Sequence, residues 1–204
     1  MIKIKTGKHL NMNAIIIYTE SLQVKILPEI GFKMASIVYK PKNKEFLFQP
    51  TKRRYEIPKY GDDFEKYDTS GLDEMVPTVD KSQYPAGDLK GKMLPDHGDV
   101  WSLPWNTDVC NNKITGKVKL RSLPLEFIKS VSFSDEHTIR MDYKVKNLSD
   151  KDIYYIWTLH GLNVFDENTE FIFQEDMNSP INVHSNEELD KLNLKYLKNY
   201  KDKS

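Results

Sequence analysis

The chain of 204 residues carries a single cysteine, Cys110. No disulfide can form within it, and a reducing, cytoplasmic location is the simplest expectation. It also lacks a surplus of either charge, with Lys plus Arg at 30 and Asp plus Glu at 30. Without a basic excess nothing draws the chain to nucleic acid or to an anionic membrane, and an uncharged small molecule is compatible with that balance. Long apolar runs are missing: Ile15-Ile16-Ile17 is far too short for a signal-peptide core or a membrane span. There is no glycine-rich phosphate loop, no Ser-His-Asp motif and no EF-hand spacing. Helical periodicity is scarce as well.

What remains is enough for a packed core. Hydrophobic residues make up 39% of the chain and aromatics 11%, which argues against wholesale disorder. Alternation and β-branched runs predict strands at Ala14–Thr19, Leu22–Leu27, Met34–Tyr39 and Glu45–Gln49, the first two as a hairpin. A second β-rich block is predicted from Ile114 onward, with Leu125–Phe133 in it. Ile139, Met141, Tyr143 and Val145 alternate with charged residues and form the cleanest half-buried strand. Asn147-Leu148-Ser149-Asp150 reads as a turn, followed by strands at Ile153–His160 and Glu170–Gln174.

Residues 50–107 interrupt this pattern with Pro, Gly, Asp and seven aromatics, including Phe64, Tyr67, Trp101 and Trp105. A long irregular segment this rich in rings is expected to be an ordered, site-forming excursion from the scaffold. At the other end, Ser185-Asn186-Glu187-Glu188 is a capping-box signature. Leu189, Leu192, Tyr196 and Leu197 then share one helical face, which predicts an amphipathic helix over 186–199. No internal repeat or strong linker is present, so one domain over 1–204 is expected.

Three segments concentrate groups able to do chemistry. They are Gly71-Leu72-Asp73-Glu74-Met75-Val76-Pro77-Thr78, then Leu94-Pro95-Asp96-His97-Gly98-Asp99-Val100-Trp101, then Trp157-Thr158-Leu159-His160. Histidines and carboxylates move protons near neutral pH, and indoles cover apolar sugar faces. In this order, with Phe46-Leu47-Phe48-Gln49-Pro50 and the stretch from Leu27 to Ile37 ahead of them, the segments resemble the aldose 1-epimerase (galactose mutarotase-like) family.

The resemblance implies a mostly antiparallel β-sandwich, of the supersandwich type, in an incomplete form. It implies an isomerase that interconverts sugar anomers without a cofactor. By motif His160 matches the catalytic acid that protonates the ring oxygen, and His97 the histidine that holds the sugar. Asp99 and Trp101 are grouped with His97 as substrate-binding. The family's general-base glutamate lies well downstream of the second histidine. Glu167, Glu170 and Glu175 do not match its motif, and Gly161 stands where the family often has proline. The chain thus resembles the N-terminal portion of a mutarotase: a truncation, a split gene product or a divergent relative.

Plainer readings compete with each of these. His97 serves equally as a loop histidine beside a carboxylate, and His160 as a core histidine at a strand end. Tryptophans more often pack than stack on sugar. Asp73 and Glu74 are adjacent on extended chain and face opposite ways, so they make a poor carboxylate pair and read as structural. His97, His160 and Asp99 lack metal-ligand spacing for zinc. The acidic group Asp62, Asp63, Glu65 and Asp68 reads as solvated loop rather than a calcium site. His9, His137 and His184 read as surface. A non-catalytic carbohydrate-binding module is the first alternative function. The second is an interaction domain whose open sheet edge pairs in a homodimer or with a complementing C-terminal fragment.

Overall fold

The computed structural model describes residues 1–67 and 70–170. The strand expected at 170–174, apart from its first residue, lies outside the described residues, as do the helix expected over 186–199 and His184. Met1–Val164 form one compact unit, and residue 165 begins a second. The described strands are β1 (Lys3–His9), β2 (Met12–Tyr18), β3 (Leu22–Leu27), β4 (Lys33–Tyr39), β5 (Lys44–Glu45), β6 (Leu72–Met75), β7 (Ser82–Gln83), β8 (Met93–Leu94), β9 (Asn106–Cys110), β10 (Lys113–Lys119), β11 (Leu125–Phe133), β12 (Ile139–Asn147) and β13 (Thr158–Gly161). They make a large sheet in the order β1-β2-β3-β4-β6-β13, with β5 also on β4, a four-stranded sheet β12-β11-β10-β9, and a β7-β8 ribbon. The pairings between these strands are antiparallel. The molecule is an antiparallel β-sandwich.

Alternation decides which face each strand buries. In β11 the odd-numbered residues from Leu125 to Phe133 are buried and the even-numbered ones only partly covered, the period-2 signature of a strand with one face on a core. Ile17, Val24, Ile26 and Met34 of the large sheet meet Ile114, Val118, Phe127 and Val131 of the smaller one in a continuous core. A second apolar cluster, including Ala14, Ile16, Leu27, Ala35 and Tyr55, covers the opposite face of the large sheet. Strand β2 is therefore apolar on both faces. The β2–β3 turn is closed by Thr19, whose Oγ1 accepts the amides of Ser21 at 3.2 Å and Leu22 at 2.9 Å.

Several elements differ from expectation. The strand expected from Glu45 to Gln49 stops after Glu45, because that carboxylate accepts the amides of Ile37 and Leu47 at 2.8 and 3.0 Å and replaces ladder bonds. The strand expected from Ile153 begins only at Thr158. Before it the chain is held instead by the amide of Tyr154 on the Tyr84 hydroxyl and that of Ile156 on the Pro77 carbonyl, both at 2.8 Å. His9, expected at the surface, is only 8% exposed and lies against the Tyr55 ring.

An ion pair lies between the two sheets. Lys129 occupies a buried position of β11 and Glu74 one of β6, and both side chains are fully enclosed at 2.6 Å separation. Tyr143, opposite Lys129 on β12, donates its hydroxyl to Glu74 Oε1 at 3.0 Å. Burial pushes the Glu74 carboxyl above its ordinary range, and the Lys129 ammonium pulls it back only in part. Removing one partner strands the other's charge, which typically costs about 3–5 kcal/mol, whereas replacing both by apolar groups is often neutral. Lys129→Met is therefore expected to destabilise the fold by roughly that amount, and Lys129→Met/Glu74→Leu to recover most of it. Urea unfolding of the three proteins measures this, and a double variant no more stable than Lys129→Met would contradict it.

Candidate functional site

The site is built on the face of the large sheet turned away from the smaller one. His160 of β13 is directly opposite Asp73 of β6 in the ladder. Lys33 of β4 donates to Asp73 Oδ2 at 2.6 Å and to the Ser70 carbonyl at 2.6 Å. Lys33, Asp73 and His160 therefore form a row across three neighbouring strands. Lys33 and Asp73 are almost fully enclosed, while His160 remains half-buried.

The excursion supplies the rest. Its segment Asp96-His97-Gly98-Asp99 is fixed against the chain after β6 by backbone bonds from His97 to Val79 and from Asp99 to Val76. Gly98 has a φ of +72°, and a Cβ there would lie 2.1 Å from the Val76 carbonyl oxygen, so only glycine allows this close approach. His97 itself is left-handed at φ +55°, a conformation uncommon outside glycine. Asp96 then ties three parts together. Its Oδ1 lies 2.9 Å from His97 Nδ1, its Oδ2 accepts the Phe64 amide at 2.8 Å, and its carbonyl accepts the Trp101 indole N–H at 3.0 Å. Burial works to raise the Asp96 carboxyl, but the Phe64 amide and the His97 ring outweigh it and hold it below the ordinary range.

The two imidazoles meet there. His97 and His160 have ring centroids 5.4 Å apart. Phe64 stacks flat on His97 at 4.2 Å and presents its edge to His160 at 5.3 Å. His160 is held below its ordinary value, first by burial and then by His97 and Lys33, with Asp73 acting in the other direction. It is thus a neutral imidazole at pH 7, suited to accept a proton.

Two residues grouped with His97 by sequence have other roles. Asp99 is fully buried. Its Oδ2 accepts the amides of Arg121 and Ser122, and Tyr60 donates to its Oδ1 at 3.4 Å. It anchors the excursion to the smaller sheet and turns no oxygen outward. Burial, then Asp99, raises the Tyr60 phenol to about 12. Trp101 is only 5% exposed and lies behind Phe64, edge-on at 5.0 Å, so its ring is a wall and not a stacking platform. Phe64, Asp96 and Lys33 were missed as site residues. The alternation of Asp73 and Glu74 was the available signal that one of them faces this side.

A separate open hollow of about 390 Å³, lined by Leu103, Lys117, Lys119, Arg121 and Glu126 among others, holds neither histidine. Its lysines and Arg121 are exposed. Among the described residues no group of three or more His, Cys, Asp or Glu side chains is arranged to hold a metal ion. No helix among them is long and apolar enough to cross a membrane.

No family model matches the sequence, and no curated protein matches it. Among solved structures the chain is similar to the Slr1438 protein of Synechocystis sp. PCC 6803. The TM-score is 0.57 and the identity 13%, over 82% of this chain and 55% of that one. It is also similar to a galactose mutarotase-like protein of Lactobacillus casei ATCC 334. There the TM-score is 0.48 and the identity 18%, over 73% of this chain and 46% of that one. The chain spans about half the length of these structures. The first of these likenesses is one of fold.

The depressed His160 value has a sign that can be checked. Unfolded chain takes up this proton near 6.5, and folded chain only at lower pH. Between those values the unfolded state binds more protons, so stability rises with pH. Stability is expected to be fully present above about pH 6.5 and to fall as pH drops through the folded value. In His160→Gln, acid unfolding followed by circular dichroism is expected to show a shallower pH dependence over that window. An unchanged slope would remove the assignment.

Proposed function

We propose that this chain binds a free sugar on the His97–His160 face and, with a second proton-transfer group in place, exchanges its anomers. The observation that carries this is the meeting of two imidazoles, from the excursion and from β13, at 5.4 Å around one phenyl ring. The resemblance of the three segments to the aldose 1-epimerase family supports it. Ring opening needs a base to take the proton of the anomeric hydroxyl and an acid to protonate the ring oxygen as its bond to the anomeric carbon breaks. Closure on the other face of the aldehyde reverses both transfers. The resemblance assigns His160 as the acid. The neutral, half-buried His160 imidazole is fitted to exchange one of these protons, the second proton-transfer group handles the other, and His97, with its Nδ1 beside Asp96, anchors the sugar.

The test is polarimetry of freshly dissolved α-galactose and α-glucose, with proton NMR titration for binding. Acceleration is expected, and His160→Ala is expected to lower it by about two or more orders of magnitude, the scale of a lost acid–base group. His97→Ala is expected mainly to weaken binding. Binding without acceleration would leave a carbohydrate-binding module, and no binding would remove the proposal.

A second reading rests on a different observation. Leu159 is opposite Glu74 in the ladder and so lies on the core side of β13, yet it is 39% exposed, as Trp157 is at 43%. Among the described residues β13 has a ladder partner on one side only. Sheet edges with exposed apolar neighbours invite strand addition, and the neighbouring fold of 0.57 TM-score continues well beyond the portion matched here. On this reading a complementing strand-forming polypeptide covers the edge. When the chain is co-expressed with such a complementing polypeptide, light scattering after gel filtration is expected to show a complex of unequal chains that Leu159→Lys abolishes. A symmetric dimer would assign the edge to a second copy, and a monomer under all conditions would exclude the reading.

A further inference from the structure

Two polar atoms on the site face have no hydrogen-bond partner: Nδ1 of His160 and Oδ1 of Asp73. Both are buried, and unsatisfied buried polar atoms are rare and costly. They belong to residues that are direct neighbours across the β6–β13 ladder, whose side chains leave the sheet on the same face. One atom can donate and the other can accept. The other carboxylate oxygen of Asp73 is already held by Lys33, which fixes the carboxylate in place.

We infer that Asp73 is a positioning residue for His160: its Oδ1 accepts a hydrogen bond from the His160 Nδ1–H through one bridging water, and so leaves Nε2 as the unprotonated nitrogen on the substrate face. The nitrogen that carries the proton in a neutral imidazole is set by the hydrogen bond made at that position. A ring without that bond divides its proton between both nitrogens and turns more freely about its side-chain bond. The strand pairing places the two residues side by side, Lys33 supplies the charge balance, and Asp73 supplies the choice of tautomer. The charged and titratable groups facing His160 are Asp73 and Lys33 from the sheet and His97, with its partner Asp96, from the excursion.

This inference rests on the sugar-site reading for its purpose but not for its test. Nitrogen-15 NMR of the imidazole in the free protein, at a pH well above 6.5, distinguishes the two neutral tautomers. His160→Gln identifies the signals. His160 is expected to carry its proton on Nδ1. In Asp73→Asn the amide oxygen remains with Lys33 and the amide NH₂ faces the ring, so the proton is expected to move to Nε2. If the protein also accelerates anomer exchange, Asp73→Asn is expected to lower kcat by about tenfold or more, with KM little changed and the pH profile displaced. A wild-type His160 with its proton on Nε2, or a tautomer indifferent to Asp73→Asn, would overturn the inference whether or not a sugar binds. Should Asp73→Asn fail to fold, the wild-type spectrum alone decides. Absence of any sugar activity, with the Nδ1 tautomer observed, would remove the functional reading and leave the positioning role.

Discussion

Strand β6 holds the molecule and its site together because its two adjacent carboxylates face opposite ways and each is met by a lysine. Glu74 enters the core and meets Lys129 of the smaller sheet. Asp73 enters the outer face and meets Lys33 of the neighbouring strand. A four-residue strand buried on both faces would ordinarily be apolar, since an isolated buried charge is prohibitive. Here the charges are tolerated only in these pairs, and the pairs can form only in one register. A slip by one residue would turn Glu74 toward the site and Asp73 into the core. The ionic pairing thus fixes which face His160 joins.

The scaffold was legible wherever a strand is half-buried. Leu125–Phe133 and Leu22–Leu27 coincide with β11 and β3, because alternation reports a two-faced environment directly. The strands that escaped are those with no such contrast. In β9 all five residues are exposed. In β6 all four are buried, two of them charged. Strand β1 is mostly polar, with lysines at positions 3, 5 and 8. Periodicity has nothing to report in these cases, and pairing with neighbours forms the strand instead.

The site was legible in part, for a similar reason. The motifs marked His97 and His160, which the fold brings together from distant segments. They also marked Asp99 and Trp101, whose side chains serve the framework. Spacing within a loop does not say which side chains turn inward, because tight turns at His97 and Gly98 break the two-residue alternation of a strand. Phe64 was visible only as one aromatic among many. Its position on His97 depends on the Asp96 carboxylate reaching its amide, a bond between residues far apart in the chain.

Cys110 lies exposed at the end of β9, on the edge strand of the smaller sheet. As the only thiol in the sequence, it offers a single address for a maleimide dye or spin label, on a different sheet from β13. The same thiol makes the protein sensitive to its handling. In air two copies can join through Cys110, producing a covalent species that says nothing about strand pairing, so association is meaningful only in the presence of a reductant.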